Sequence, residues 1–186
     1  MVYLWKIPSE YPDKLIGEYD KNLSPDRFIF TDGEIVSIGK NYPVITFEAS
    51  IDELKRLDCL CNNAMLPVIS ERLACTLKEF ASADIQLIDV VISASDGELV
   101  GYSLLNVTAK VIGIDKAASK FTLIPGTESI MGFKSLRYSS DCMGDHMLAR
   151  DAEYSSNLMV SDGLVERLIT MNLLGVGLYR PEDMNF

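Results

Sequence analysis

Residues 66–80 read LPVISERLACTLKEF, an apolar run that ends at a serine, a glutamate and an arginine. Pro67 favours extended backbone at the residue before it. Ser70 is a preferred helix N-cap, and the carboxylate of Glu71 suits the positive end of a helix dipole. Apolar residues then recur on one helical face, at Leu73, Leu77 and Phe80. The stretch therefore predicts a strand that passes directly into a helix. Capping does not explain Arg72, for which we expect a carboxylate partner elsewhere in the chain.

The same pattern recurs near the C-terminus, where LMV at residues 158–160 precedes Ser161 and Asp162. Four apolar residues define the face of the helix that should follow, at Leu164, Val165, Leu168 and Ile169. A third helix start is a capping box, with Ser50 at the N-cap and Glu53 three residues later. These three signals predict short helices, each entered through a serine.

Strand signals fill most of the remaining sequence. Asp32-Gly33 within residues 28–39 and Asp96-Gly97 before residues 98–115 are dipeptides typical of hairpin turns. Further strands are predicted over residues 2–7, 44–50, 84–95, 119–125, 133–139, 146–150 and 175–179. Strands and helices do not alternate regularly, so we predict an α+β fold with a mostly antiparallel or mixed β-sheet and a few helices packed against it.

Length and charge narrow the class of protein. A chain of 186 residues with 48% hydrophobic residues is typical of one globular domain, predicted to span residues 1–186. The net charge of −10 disfavours nucleic-acid binding, which needs a basic surface. Its simplest explanation is solubility, and the alternative is an acidic face for a basic partner. The apolar runs are too short to cross a membrane, and no secretion signal is evident, so we expect a cytoplasmic protein.

The residues that usually carry chemistry are few. His146 is the only histidine, and Cys142 lies four residues before it in a segment that also holds Asp141 and Asp145. These residue types and their spacing allow a metal site or a Cys142–His146 nucleophile pair. A polar turn between two strands is the simpler interpretation. The sequence also lacks a G-x-S-x-G elbow and a phosphate-binding glycine loop. We therefore predict no catalytic residue, no metal and no cofactor.

Three ordered segments resemble one family of bacterial proteins. They are LPVISERLACTLKEF (residues 66–80), GYSLLNVTAKVIGIDKAAS (101–119) and NLMVSDGLVERLITMNLLGVGLYRP (157–181). Together they are similar to family eleven of the immunity proteins encoded beside polymorphic toxins. The likeness covers residues 60–183, and residues 1–60 match only weakly. Two positions depart from the family pattern: alanine precedes Ser119, and Leu148-Ala149 replaces an aromatic residue before Arg150.

The resemblance implies a non-catalytic cytoplasmic protein that binds a cognate toxin domain and occludes its active site. It marks six motif residues that are either scaffold or interface: Ser70, Glu71, Arg72, Tyr102, Asn106 and Asp115. We expect scaffold, because Ser70 and Glu71 fit a helix start. Tyr102 and Asn106 share one face of a strand. Two other functions stay open, namely an adaptor with a non-toxin partner and an enzyme that uses His146 and Cys142.

Overall fold

A computed structural model describes residues 1–184, and its α+β fold confirms the predicted fold class. Its α-helices are α1 (Ile51–Leu54), α2 (Glu71–Phe80) and α3 (Asp162–Thr170). Short 3-10 helices occur at Asp13–Leu15, Arg27–Phe30 and Pro181–Asp183. The strands are β1 (Val2–Lys6), β2 (Glu18–Tyr19), β3 (Val44–Thr46), β4 (Cys59–Leu60), β5 (Val68–Ser70), β6 (Ile85–Asp89), β7 (Val91–Ala94), β8 (Gly97–Leu99), β9 (Tyr102–Val107), β10 (Lys110–Val111), β11 (Lys120–Leu123), β12 (Ile130–Ser135), β13 (Leu148–Asp151), β14 (Leu158–Ser161) and β15 (Gly177–Tyr179). Within residues 1–184, no helix is long and apolar enough to cross a membrane.

The strands form three larger sheets and one separate hairpin. Sheet 1 has the order β10-β13-β14-β1-β15, sheet 2 the order β2-β3-β7-β8, and sheet 3 the order β4-β5-β9-β6. Among the strands of residues 1–184, β11 and β12 pair only with each other. Two pairings are parallel, β10 with β13 and β3 with β7, and the other pairs of named strands are antiparallel. The sheets are therefore mixed, with antiparallel pairs in the majority.

Sheet 1 is buried on both faces because its side chains alternate between two cores. Trp5 and Leu158 enter a core that also receives α2 and α3. Leu4 and Met159, their chain neighbours, enter a second core beneath the β11–β12 hairpin. A third core fills the space among sheet 2, α1 and the other face of sheet 3. Burial on both faces explains why these strands contain apolar residues in unbroken runs.

The opening stretch folds as predicted. Val68 and Ile69 of β5 enter different cores, and the hydroxyl of Ser70 accepts the backbone N–H of Leu73 at 3.4 Å to start α2. The face formed by Leu73, Leu77 and Phe80 packs into the core shared with sheet 1. This strand and helix thus join the core of sheet 2 to the core of sheet 1.

The other helix starts are also confirmed. Ser50 and Glu53 form the predicted capping box, and Ser161 caps α3 by accepting the N–H of Leu164. The prediction that Ile169 belongs to the buried face of α3 is wrong, because this residue is 64% exposed. It lies about 140° around the helix from Leu164, which is beyond the edge of the stripe of buried residues.

The hairpin predicted at Asp96-Gly97 forms, but it bends between two sheets. Ile92 pairs with Leu99 near the turn, whereas Asp89 pairs with Ser103 further down. The returning strand therefore holds one extra residue between these pairs, which is a bulge. Gly101 lies there with φ 90°, a backbone conformation that glycine adopts easily. The bulge sends the tip of the hairpin into sheet 2 and its base into sheet 3.

The hairpin predicted within residues 28–39 is wrong. The carboxylate of Asp26 accepts the N–H of Phe28 at 3.1 Å and starts a 3-10 helix instead. The following residues form no strand, and Val36 bonds to the side chain of Gln86 through both its N–H and its carbonyl. Side-chain amides from sheet 3 thus replace the missing strand partner. Among the other strands, β11 ends at Leu123 rather than at residue 125, and β12 begins and ends earlier than the predicted 133–139.

Gly175 should be intolerant of any side chain. Its φ is 88°, and a Cβ there would overlap the carbonyl oxygen of Cys59 in β4. We expect Gly175→Ala to lower the free energy of unfolding by about 2 kcal/mol or more, since strain and overlap add. Gly163→Ala is the matched control, because nothing lies within 4 Å of that position and its φ is not positive. Urea titration of both variants tests this, and an unchanged Gly175→Ala midpoint would contradict the close approach.

Candidate functional site

Asp58, which immediately precedes β4, is the carboxylate that Arg72 requires. Arg72 donates from Nε to Oδ1 at 3.0 Å and from Nη2 to Oδ2 at 2.6 Å. The hydroxyl of Ser70 donates to Oδ1 at 3.1 Å, and the N–H of Leu174 donates to Oδ2 at 3.0 Å. One carboxylate therefore links the start of α2 to the turn that follows α3. Ser70 and Arg72 act here as scaffold residues.

The electrostatics of Asp58 favour its charged form. Burial alone would raise its pKa, but hydrogen bonds from Arg72, Leu174 and Ser70 outweigh burial and lower the pKa below 3.8. The pKa of Arg72 is raised, first by the hydrogen bond to Asp58. The pair is therefore ionised at neutral pH and contributes to folding stability.

Tyr102 and Asn106 lie on the same face of β9, as predicted, and each holds a different loop. The Tyr102 hydroxyl donates to the carbonyl of Leu57 at 2.7 Å, next to α1. Burial is the main cause that raises the pKa of Tyr102 to about 12. The Asn106 amide donates to the carbonyl of Glu34 at 2.9 Å and to Gln86 Oε1 at 3.0 Å. Both side chains thus satisfy backbone that has no strand partner of its own.

The remaining motif residues, Asp115 and Glu71, differ in their surroundings. Asp115 accepts the N–H groups of Ala117 and Ala118, both at 3.0 Å, and shapes the turn that leads into β11. Glu71 is exposed, and its carboxylate forms no hydrogen bond or ion pair with any residue in 1–184. Five motif residues thus support the fold, and Glu71 alone faces solvent without a partner.

His146 and Cys142 line one cavity of about 670 Å³ but do not pair. His146 Nδ1 lies 2.6 Å from Oδ1 of Asp84, a buried carboxylate that also accepts the N–H groups of Met147 and Leu148. Burial is the main cause that raises the pKa of Cys142, which is the opposite of the shift that activates a thiol nucleophile. Among residues 1–184, no cluster of three histidine, cysteine or acidic side chains has the arrangement of a metal site. His146 anchors β13 to the loop before β6.

A second cavity, of about 180 Å³, opens beside β1 and β4, and we call it the Trp5 cavity. Its wall is apolar and buried, with Trp5, Leu66 and Leu158 among its residues. Its rim is apolar and exposed, with Ile7, Phe28 and Met65 exposed by 36%, 57% and 62%. Its full lining is Trp5, Lys6, Ile7, Arg27, Phe28, Thr31, Cys59, Cys61, Asn62, Ala64, Met65, Leu66, Pro67, Arg150, Ser155, Ser156 and Leu158. A concave apolar site with an exposed apolar rim is the usual form of a binding site.

Met65 is held at this rim in an unfavourable backbone conformation. Its φ is 59°, which residues other than glycine seldom adopt. The buried side chain of Asn62 locks the turn by donating to the carbonyl of Leu66 at 2.6 Å and accepting the N–H of Ala64 at 3.1 Å. Strain of this kind persists where surrounding contacts enforce it, and it is concentrated at functional sites. The turn presents a long, flexible thioether to solvent at the edge of the cavity.

None of the six motif residues lines the Trp5 cavity. Sequence reasoning therefore missed the site, since its lining comes from distant segments: β1, the 3-10 helix at Arg27–Phe30, the turn after β4, and β13 with the residues that follow it. Of the lining residues, Leu66, Pro67, Arg150 and Leu158 are among those in the family-like region, but their pattern indicates strands rather than a cavity. The sequence does place Arg27 and Phe28 directly after a proline and an aspartate cap, but that pattern predicts a helix start and not a cavity.

Searches of protein-family models and of curated proteins return no match to this chain.

The ion pair of Arg72 with Asp58 makes a pH-dependent prediction. We expect Arg72→Gln to lower the free energy of unfolding by about 1 kcal/mol at neutral pH, a modest amount because the arginine is half exposed. The pKa of Asp58 is lowered in the folded protein, so this stabilisation is present above the unfolded pKa. It is lost as the pH falls through the folded value. The difference between variant and wild type should therefore shrink in acid.

Denaturant titrations across this pH range provide the measurement. Arg56→Gln is the control, because Arg56 is exposed and contacts no carboxylate among residues 1–184. A stability difference that persists unchanged in acid would show that the loss comes from packing rather than from the ion pair.

Proposed function

We propose that this protein is an immunity protein, which binds a cognate bacterial toxin domain in the cytoplasm and occludes its active site. The ordered likeness of residues 66–80, 101–119 and 157–181 to an immunity family supports the toxin as partner. The Trp5 cavity supports protein binding as the activity. The six motif residues lie outside the cavity, whereas Leu66, Pro67 and Leu158 of the family-like segments line it.

The observation that carries the proposal is the composition of the cavity rim. Phe28 and Met65 are large apolar side chains that solvent reaches, and Arg27 lies with its guanidinium carbon 4.9 Å from the Phe28 ring centre. Aromatic residues, methionine and arginine are the types enriched in protein interfaces. A buried pocket inside such a rim can receive one anchoring side chain of a partner, which is how interface hot spots are built.

The scaffold gives this face the rigidity that inhibition by occlusion requires. β4 forms part of the cavity wall, and Asp58 fixes its start to α2 and to the turn after α3. Asn62 fixes the turn that carries Met65. A face that is already ordered loses little conformational entropy on binding, so more of its contact energy appears as affinity.

The net charge adds a long-range electrostatic contribution to the association of the protein with its partner. At −10, the chain attracts a basic toxin and repels acidic ones, which raises the association rate at low salt. If association with the toxin proved independent of salt, this electrostatic contribution would be wrong while the immunity role remained. An adaptor with a non-toxin partner is the alternative function, and the product of the adjacent reading frame distinguishes the two.

The decisive experiment is rescue of growth. The C-terminal domain encoded by the adjacent reading frame is expressed with and without this protein, and we expect growth arrest that the protein relieves. Phe28→Ala should weaken binding of the purified toxin domain roughly 30-fold, as expected for loss of an aromatic anchor. Ile35→Ala is the matched control, since Ile35 is 79% exposed and does not line the cavity. Toxicity without rescue would contradict the immunity role, and equal effects of the two variants would contradict the interface.

Met65→Gly separates stability from binding. Glycine adopts a φ near 59° without strain, so we expect the free energy of unfolding to stay within about 1 kcal/mol of the wild type or to rise. Toxin affinity should fall about tenfold, because the exposed thioether is removed. Denaturant titration and calorimetric binding measure the two quantities. Unchanged affinity would show that Met65 does not contact the partner.

A further inference from the structure

We propose that the Trp5 cavity is a carboxylate-binding pocket, and that its occupant is an acidic side chain of the protein partner inserted beside an apolar residue. The proposal rests on the proposed function for the identity of the partner. The chemistry of the pocket rests on its own residues. Those residues assign the site to an anion, although the chain as a whole is strongly acidic.

The charge of the pocket is opposite to that of the protein. The chain has 27 acidic and 17 basic residues. Yet the cavity lining, within the described part of the chain, includes Lys6, Arg27 and Arg150 and no aspartate or glutamate. Among residues 1–184, none of these three cations lies within ion-pair distance of a carboxylate. A cation that is removed from water without an opposite charge destabilises the protein, and an anion in the cavity would offset that effect.

Arg150 is the most deeply buried of the three. Its side chain comes from β13 at the cavity wall, and the residue is only 3% exposed. The guanidinium donates to the backbone carbonyls of Phe30 at 2.8 Å and Ser155 at 2.9 Å, while its Nε has no acceptor among the described residues. Burial lowers the pKa of Arg150 to about 10, and the charge of Asp32 opposes this shift only in part. The arginine is therefore held in place with its positive charge only partly offset.

Two neutral side chains, Asn157 and Tyr138, link Lys6 to the carboxylate of Asp151. Its ammonium donates to Asn157 Oδ1 at 2.7 Å, and the Asn157 amide donates to the Tyr138 hydroxyl at 3.1 Å. That hydroxyl donates to Asp151 at 2.8 Å. The Asp151 carboxylate is thus occupied by Tyr138, and burial lowers the pKa of Lys6. Lys6 shares a face of β1 with Leu4 rather than with Trp5, so it lines the cavity while Asn157 holds its ammonium toward the opposite face of sheet 1.

The cavity walls restrict which anion fits. A volume of about 180 Å³ whose buried lining includes Trp5, Leu66 and Leu158 suits one carboxylate on an apolar stem. A polyanion such as a nucleic acid would need a long basic surface, which a chain of net charge −10 does not offer. The exposed ring of Phe28 and the thioether of Met65 lie where the rest of a bound segment would leave the cavity. Charge complementarity therefore favours an acidic side chain flanked by apolar residues.

The pocket carries its own reporter, because Trp5 is the only tryptophan in the chain and lies in the cavity wall. The probe is 4-phenylbutyrate, which has a carboxylate on an apolar stem, and 4-phenylbutanamide is its uncharged equivalent. We expect the carboxylate to change Trp5 fluorescence saturably and to bind at least about tenfold more tightly than the amide. Equal binding of the two, or no saturable change with either, would overturn the carboxylate pocket.

Two variants test the cations without disturbing the buried arginine. Arg27→Gln removes a partly exposed charge at the rim, and Lys6→Met keeps the length of the side chain but removes the ammonium. Arg27→Gln should reduce the preference for the carboxylate over the amide by about tenfold and Lys6→Met by less, whereas Arg56→Gln, which is not in the lining, should not change it. Circular dichroism confirms that each variant is folded. A preference that survives both substitutions would overturn the role of these cations.

The identity of the occupant is tested by competition with the toxin domain. If an acidic side chain of the partner fills the pocket, 4-phenylbutyrate should displace the domain, and Arg27→Gln should weaken the complex. Displacement by the carboxylate but not by the amide supports this assignment. Binding of 4-phenylbutyrate together with an undisturbed complex would overturn the partner as occupant and assign the pocket to a free small carboxylate. The fluorescence measurement needs no toxin, so failure of the proposed function and failure of the pocket are distinguishable.

Discussion

The carboxylate of Asp58 is the contact on which the rest of the structure depends. It accepts hydrogen bonds from Arg72, Ser70 and Leu174, and its backbone also pairs with Ser70 and Leu174. These contacts fix the start of β4, the start of α2 and the turn that leads to β15. Because β5 and α2 join two hydrophobic cores, one buried acid sets the position of both. Burial strengthens these hydrogen bonds, and it also makes loss of any partner expensive.

The Trp5 cavity follows from the same framework. Its wall is the inward face of β1, β4 and β14, and its rim is carried by two segments that have no strand partner, the 3-10 helix at Arg27–Phe30 and the turn at Met65. Side chains hold both segments: Asp26 starts the helix and Asn62 locks the turn. A rigid wall with separately anchored rim segments can present apolar groups to solvent, because the adjacent cores supply the stability of the fold.

The proposed binding face acts on a partner through two opposite charges, a negative one at long range and a positive one inside the cavity. The net charge of −10 acts over the Debye length and influences which partners approach. Inside the cavity the local charge is positive, and it acts only on a group that has already entered. A partner that is basic overall but offers one acidic anchor would satisfy both. Such a combination gives specificity, since a uniformly basic or uniformly acidic surface meets repulsion at one of the two distances.

Local chemistry alone determined the α+β class, the three serine-capped helices and the turn at Asp96-Gly97. Each depends on residues within one or two turns of the chain, and their hydrogen bonds form in almost any tertiary setting. The predicted hairpin at Asp32-Gly33 failed for the opposite reason, because Gln86 and Asn106 from another sheet satisfied that backbone instead. Only the tertiary structure decided that Arg72 pairs with Asp58 and that three unpaired cations surround one cavity. The residues of the ion pair and of the cavity lie far apart in sequence, so only folding brings them together. How deeply packing buries each charged side chain then determines whether it meets an opposite charge.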